Sequence, residues 1–192
     1  ELGVPVELLE FETAARSVQA LASDQADIGF MAIDPLRAQT THFTPAYVHI
    51  EGAYGVRSDS PITANEQVDQ AGRRIVVGAG SAYALFLQRA VTQAALVSVP
   101  TSEEVVAALL RGDGDVAAGV RQQLEADARR VAGLRVLDGR FMVIRQAMAM
   151  PATRGAAAGA ALDDFIVRHI RSGFVADALA RHGIEGAAVA EV

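Results

Sequence analysis

Ala20-Leu21-Ala22-Ser23-Asp24-Gln25-Ala26-Asp27-Ile28-Gly29-Phe30 lines up without a gap against Ala108-Leu109-Leu110-Arg111-Gly112-Asp113-Gly114-Asp115-Val116-Ala117-Ala118. Each copy reads as the end of an amphipathic helix, a polar turn, and an acidic residue opening a short apolar strand. An alanine-rich chain produces short matches by chance, so the repeat does not stand alone. Taken as structure, it predicts two similarly built α/β lobes, and the cleft between such lobes is a place for a small ligand.

Outward from the first copy, Val4 to Phe11 has the apolar spacing of a strand, and Thr13 is placed to cap a helix carrying Ala14, Val18, Leu21 and Ala22. Asp27 to Ile33 is almost wholly apolar, as in a strand covered on both faces. Asp34-Pro35 fits a helix start. Val48 to Val56 is extended, Arg74 to Val77 is a strand, and Gly78-Ala79-Gly80-Ser81 leads into a helix. After a strand at Leu96–Val99, Thr101-Ser102-Glu103-Glu104 has the form of a capping box. Beyond the second copy come a helix from Arg121 to Arg130, a strand at Leu134–Leu137 and an extended stretch from Phe141 to Met150. Helices near residues 156–171 and 174–182 follow, with Gly183 as a stop. Strands alternating with helices give the class α/β with mostly parallel sheets.

Composition narrows the function. With 51% hydrophobic and 21% charged residues and a mean hydropathy of +0.23, the chain can bury a core. A formal charge of −6 with no basic run argues against nucleic acid. No stretch reaches the roughly 20 apolar residues of a membrane span. The absence of cysteine removes disulfides and thiolate chemistry. His42, His49, His169 and His182 lack the spacing of a metal set, and the Asp113-Gly114-Asp115 turn is too short for a calcium loop. Ser81 is not followed by the second glycine of a nucleophile elbow, because Tyr83 stands there, and no catalytic triad is evident. We therefore expect no catalytic residues, metal or cofactor.

The order AlaAspIleGlyPhe, AspProLeuArg, PheThrProAlaTyr, GlyAlaGlySerAlaTyr and GlyAspGlyAspValAla resembles the periplasmic solute-binding proteins of ABC transporters. The resemblance is to the type II fold, family 3, which binds polar amino acids and related small carboxylates, and it covers essentially the whole chain. It implies a two-lobed α/β fold with two hinge crossings, near His49–Gly52 and Ala147–Met150. Lobe one would comprise residues 1–50 and 150–192, and lobe two residues 51–149. It implies an arginine gripping the ligand carboxylate, matched by Arg37, and a Gly-Ser pair donating to the same carboxylate, matched by Gly80-Ser81. The aspartate that binds an α-amino group falls at Val120, between Gly119 and Arg121, so a ligand whose polar end is a carboxylate or neutral group is expected. The family layout places another strand and most of a helix, some 35 to 40 residues, ahead of Glu1, and a removed signal peptide before that.

The residues carry this reading differently. A guanidinium binds a carboxylate through two parallel bonds, so Arg37 suits the task, although a solvated arginine on a first helical turn is the plain reading. Residues 78–83 offer an anion the free amides of a helix start. An ordinary tight turn or a dinucleotide fingerprint are the other readings, the latter weakened by Tyr83 in place of the third glycine. Ala82 belongs to that helix start; Tyr83 either stacks on a ligand or packs. Phe30 and Ala32 face the strand edge where α/β sheets hold ligands, or Phe30 belongs to the core. Arg121 and Gln122 either replace the missing aspartate or lie on the surface. The expected partners are a small carboxylate ligand and an ABC transporter permease, with membrane contact only through the permease and a periplasmic location. A ligand-sensing module of a receptor and a cyclohexadienyl dehydratase-like enzyme are the alternatives.

Overall fold

A computed structural model describes residues 3–192. Helix α1 (Ala14–Ala22) leads to strands β1 (Gly29–Ala32), β2 (Thr41–Phe43) and β3 (Val48–Arg57). Then come β4 (Arg74–Gly78), α2 (Ala82–Ala90), β5 (Ala95–Val99), α3 (Glu104–Arg111), β6 (Val116–Val120), α4 (Arg121–Arg130) and β7 (Leu134–Val136). The chain closes with β8 (Met142–Pro151), α5 (Ala156–Arg171), α6 (Phe174–Arg181) and β9 (Ala188–Val189).

The strands form a path β1-β8-β3-β6-β4-β5, with β2 on β8 and β7 and β9 on β3. Two 10-residue strands, β3 and β8, run through the middle and pair antiparallel from Val48↔Gln146 to Gly52↔Met142. Beyond that ladder they diverge. β3 continues onto β6 at Gly52–Val56, and β8 onto β1 and β2 at Gln146–Pro151. The result is a two-lobed α/β fold joined by two adjacent strands. Parallel pairing is confined to β4 with β5 and β6, and the other ladders are antiparallel because both crossing strands bring the chain back on itself.

Each lobe has its own apolar clusters. In the second lobe Val56, Ile75, Val77, Tyr83 and Leu87 pack on one sheet face, and Val76, Val105, Leu109 and Leu124 on the other. In the first lobe Met148, Met150, Leu162 and Ile166 join β8 to α5, and Leu21, Met31 and Ala149 join α1 to the sheet. The two sequence copies fold alike. Leu21 and Leu109 are both buried. Gln25 N–H donates to Ala20 O (2.9 Å) as Asp113 N–H does to Ala108 O (3.0 Å). Asp24 N–H donates to Leu21 O as Gly112 N–H does to Leu109 O. This crossed pair of bonds ends a helix through one left-handed residue, filled by Asp24 (φ 55°) in one copy and Gly112 (φ 90°) in the other.

The sheet is thus mostly antiparallel where mostly parallel strands were expected, and two further expectations fail. Val4–Phe11 is not a strand: residues 3–11 carry no regular structure and stay exposed, with Val6 at 81% and Leu8 at 82%. Alternating side chains make a strand only where a neighbour supplies backbone bonds, and among the described residues no strand pairs with this segment. The capping box before α3 does not form either. Glu103 occupies the cap without a side-chain bond, the Thr101 hydroxyl donates to the Glu104 carboxylate, and Ser102 is drawn to Tyr83.

The second lobe is tied by an aspartate away from the cleft. Asp69 accepts from the N–H groups of Ala94 (2.8 Å), Thr92 (2.9 Å) and Gln93 (2.8 Å), which hold its carboxyl down at about 2 against 3.8. A depressed value stabilises the fold above the unfolded value and loses that contribution as pH falls through the folded one. Asp69→Asn should therefore lower the thermal midpoint near neutral pH, and the gap to the parent should narrow between pH about 4 and about 2. A gap constant across that range would remove the charge of Asp69 from the account.

Candidate functional site

The candidate site is built where the segments that follow β1 and β4 meet. After β1 the chain turns at Asp34, whose Oδ1 accepts from Leu36 N–H at 2.8 Å, closing the turn over Pro35. This points Arg37 inward, and it is only 5% exposed. Its Nη1 donates to Ala32 O in the first lobe (3.0 Å) and its Nη2 to Gly80 O in the second (2.9 Å). Burial pushes the Arg37 guanidinium below its ordinary value while Asp34 pulls it back up. It remains a cation, satisfied by two carbonyl dipoles rather than by an anion.

The Gly80 turn accepts this approach because it has no side chain. Gly80 has φ +67°, and a Cβ there would lie 2.8 Å from the Ala15 methyl at the start of α1. The next residue, Ser81, is buried and uses its hydroxyl to accept from Ala84 N–H at 3.1 Å. Ala82 and Tyr83 then occupy the first turn of α2, where amides lack intrahelical acceptors. A second bridge crosses at the other end of that helix. Arg89 Nη2 reaches Asp34 Oδ2 at 2.7 Å, with Asp34 3% and Arg89 46% exposed. Helix α2 is thus tied to the Asp34–Arg37 turn at both ends.

The structure brings Ala32, Arg37, Gly80, Ser81 and Ala82 together and places the other expected residues elsewhere. Tyr83 is a packing residue, 3% exposed, its hydroxyl donating to Ser102 Oγ at 2.8 Å. Gly119 and Val120 line, with Tyr83 and Ser102, a small cavity of about 60 Å³ inside the second lobe, enough for a few waters. Arg121 is committed to Glu51 (2.8 Å), to Glu125 (3.3 Å) and to Gly139 O, which leaves it no free face for a ligand. Glu51, held also by Arg140 at 2.8 Å, has its carboxyl lowered by Arg140 and Arg121. Phe30 is 64% exposed and stands opposite Met148, on the α5 face of the sheet, edge-on to Tyr47. It belongs to neither the core nor the gap around Arg37.

Sequence reasoning missed Arg89 and Ala15. Nothing in the spacing of Asp34 and Arg89 announces their bridge. Gln122 is the residue with most left unexplained, since both atoms of its carboxamide are buried without a partner and it packs over Gly186.

No family model and no curated protein sequence matches the chain. Solved structures do. A lysine-bound binding component of an ABC transporter from Wolinella succinogenes superposes with TM-score 0.78 at 18% identity, over 94% of this chain and 79% of that one. A solute receptor for L-cysteine of Neisseria gonorrhoeae gives 0.76 at 20%, over 93% and 76%. A histidine kinase sensor domain similar to periplasmic binding proteins gives 0.75 at 21%, over 93% and 77%.

The Asp34–Arg89 bridge should be measurable. Burial of Asp34 makes loss of its partner costly, and the exposure of Arg89 tempers that cost. A double-mutant cycle of Asp34→Asn and Arg89→Ala in urea unfolding should give a coupling of about 1–3 kcal/mol. A coupling under about 0.5 kcal/mol would show that the bridge does not tie the lobes. At these identities the structural likenesses establish architecture: the chain has the fold of the type II periplasmic binding proteins.

Proposed function

We propose that this chain is an extracytoplasmic solute-binding protein that captures a small carboxylate-bearing ligand by hinge closure and delivers it to an ABC transporter. The observation that carries this reading is Arg37. It is a buried guanidinium that spans the gap between lobes and ends on a carbonyl oxygen at a helix start. A carboxylate offers two charged acceptors in the geometry of the guanidinium fork and displaces a neutral carbonyl from it. Binding then favours whichever arrangement of the lobes closes both halves of the site on the ligand.

On this reading one lobe runs to residue 50 and resumes after Gln146, since Ala147–Ala149 pair with β1, and the hinge is the β3–β8 ladder at Val48–Gly52 and Met142–Gln146 rather than at Ala147–Met150. The ligand site comprises Ala32, Arg37, Gly80, Ser81 and the first amides of α2. Position 120 is apolar, and the nearby acids Glu51, Glu125 and Asp127 are paired with Arg121 or Arg130, which favours an organic acid or a ligand with a neutral second group over an α-amino cation. The protein works in the periplasm, and its partners are that ligand and a permease.

Two structural likenesses favour second readings. The sensor-kinase domain supports a ligand-sensing module. An ancestral amino acid-binding protein, a precursor of cyclohexadienyl dehydratase, matches with TM-score 0.73 at 17% identity and supports an enzyme. Asp34, the acid nearest the site, is held by Leu36 N–H and Arg89, which suits a structural acid better than a proton donor. Incubation with prephenate, followed by ultraviolet absorbance of an aromatic product, separates catalysis from binding.

Calorimetric titration with a panel of amino acids and small organic acids is the direct test. One or more should bind, and Arg37→Ala should weaken that binding by about 2–5 kcal/mol, or about thirty-fold to several thousand-fold. Equal affinity in the variant would remove Arg37 from the site and the reading with it.

A further inference from the structure

Three charges share one corner of the molecule, and they do not all belong to the same lobe. Asp34 and Arg37 stand on the turn after β1 in the first lobe, while Arg89 projects from the last turn of α2 in the second. Asp34 is buried and fixed at both oxygens: Oδ1 accepts from Leu36 N–H at 2.8 Å and Oδ2 from Arg89 Nη2 at 2.7 Å. Burial lowers the Arg37 guanidinium, and the same Asp34 carboxylate raises it. Without Arg89 the turn holds one negative and one positive group whose fields oppose each other. With Arg89 in place the carboxylate is matched by a cation from the other lobe, and the corner gains a positive charge.

We propose that Arg89 is a positioning residue for anion capture: it reaches the Asp34 carboxylate only when the lobes are together, and by doing so leaves the charge of Arg37 to a carboxylate ligand. This rests on the solute-binding reading of Arg37 and names the group that links its charge to closure. Arg89 acts through Asp34 and not on the ligand. Its side chain is exposed, so it returns to water readily when the lobes part, and Asp34 is then left facing Arg37. The dependence is reciprocal. An anion on Arg37 favours closure by the same factor by which closure favours the anion.

The chain has no cysteine, so Ala22→Cys at the end of α1 and Ala71→Cys ahead of β4, both exposed, place one spin label on each lobe. Distances between the labels should spread to longer values in Arg89→Gln than in the parent, and Arg89→Lys should bring them back. In parallel, acetate serves as a minimal carboxylate probe and acetamide as its neutral twin, both at constant ionic strength and followed by the backbone amide shifts of residues 80–82. Arg89→Gln should weaken acetate about three-fold to ten-fold and leave acetamide unchanged, and Arg89→Lys should recover most of the loss. A residue that only braced α2 would move both probes together and gain nothing from lysine.

Label distances indifferent to Arg89→Gln overturn the proposal, as does an equal loss for acetate and acetamide. Acetate that binds the parent and Arg89→Gln with the same affinity removes Arg89 and leaves the solute-binding reading in place. No acetate shift in the parent overturns the proposal too, and the solute-binding reading then stands or falls on the calorimetric panel of amino acids and organic acids.

Discussion

The antiparallel ladder between β3 and β8, from Val48↔Gln146 to Gly52↔Met142, is the one pairing on which the other strands depend. The first lobe hangs β1 and β2 on the far end of β8, and the second hangs β6 and β7 on the far end of β3. Both lobes are thus cantilevered from five cross-strand residue pairs. At the branch sits Gly52, where a Cβ would come within 2.7 Å of the Met142 side chain and 2.9 Å of the Phe141 ring. The missing side chain lets Phe141 stack on Tyr54 at 4.3 Å between centroids, so the root of the second lobe is packed against the strand that carries it. Backbone bonds of a two-strand ribbon bend with little loss, which is the mechanical condition for lobes that move as bodies.

Much of this was legible in the sequence where the signal is local. The repeat predicted two helix-turn-strand units, and both end their helices with the same crossed bonds and the same left-handed residue. Thr13 caps α1, Gly183 terminates α6 with φ +60°, and α4 spans Arg121–Arg130 as its periodicity implied. These features depend on residues a few positions apart. Val4–Phe11 misled for the opposite reason, because alternation states that a strand is possible and says nothing about whether a neighbour exists. At Thr101–Glu104 the motif was present, but the Tyr83 hydroxyl took Ser102 into a different network.

The site was legible only in part. Arg37 and the Gly80–Ser81 turn were singled out because their neighbours form a recognisable order, and the structure sets Arg37 in contact with Gly80. Arg89 was invisible because it meets Asp34 across 55 positions of chain. Tyr83 and Arg121 carry suitable chemistry but spend it on Ser102 and Glu51, partners that only the folded chain brings near. An arginine in a plausible position is informative only once its partners are known.

The Ala15 methyl against the Gly80 backbone has a mechanical meaning. A Cβ at position 80 would lie 2.8 Å from that methyl, so any side chain there would push the turn off α1 and lengthen the 2.9 Å bond that Arg37 makes to the Gly80 carbonyl. The bond and the bare glycine are thus one feature: a backbone carbonyl serves the guanidinium only because nothing larger than hydrogen shields it.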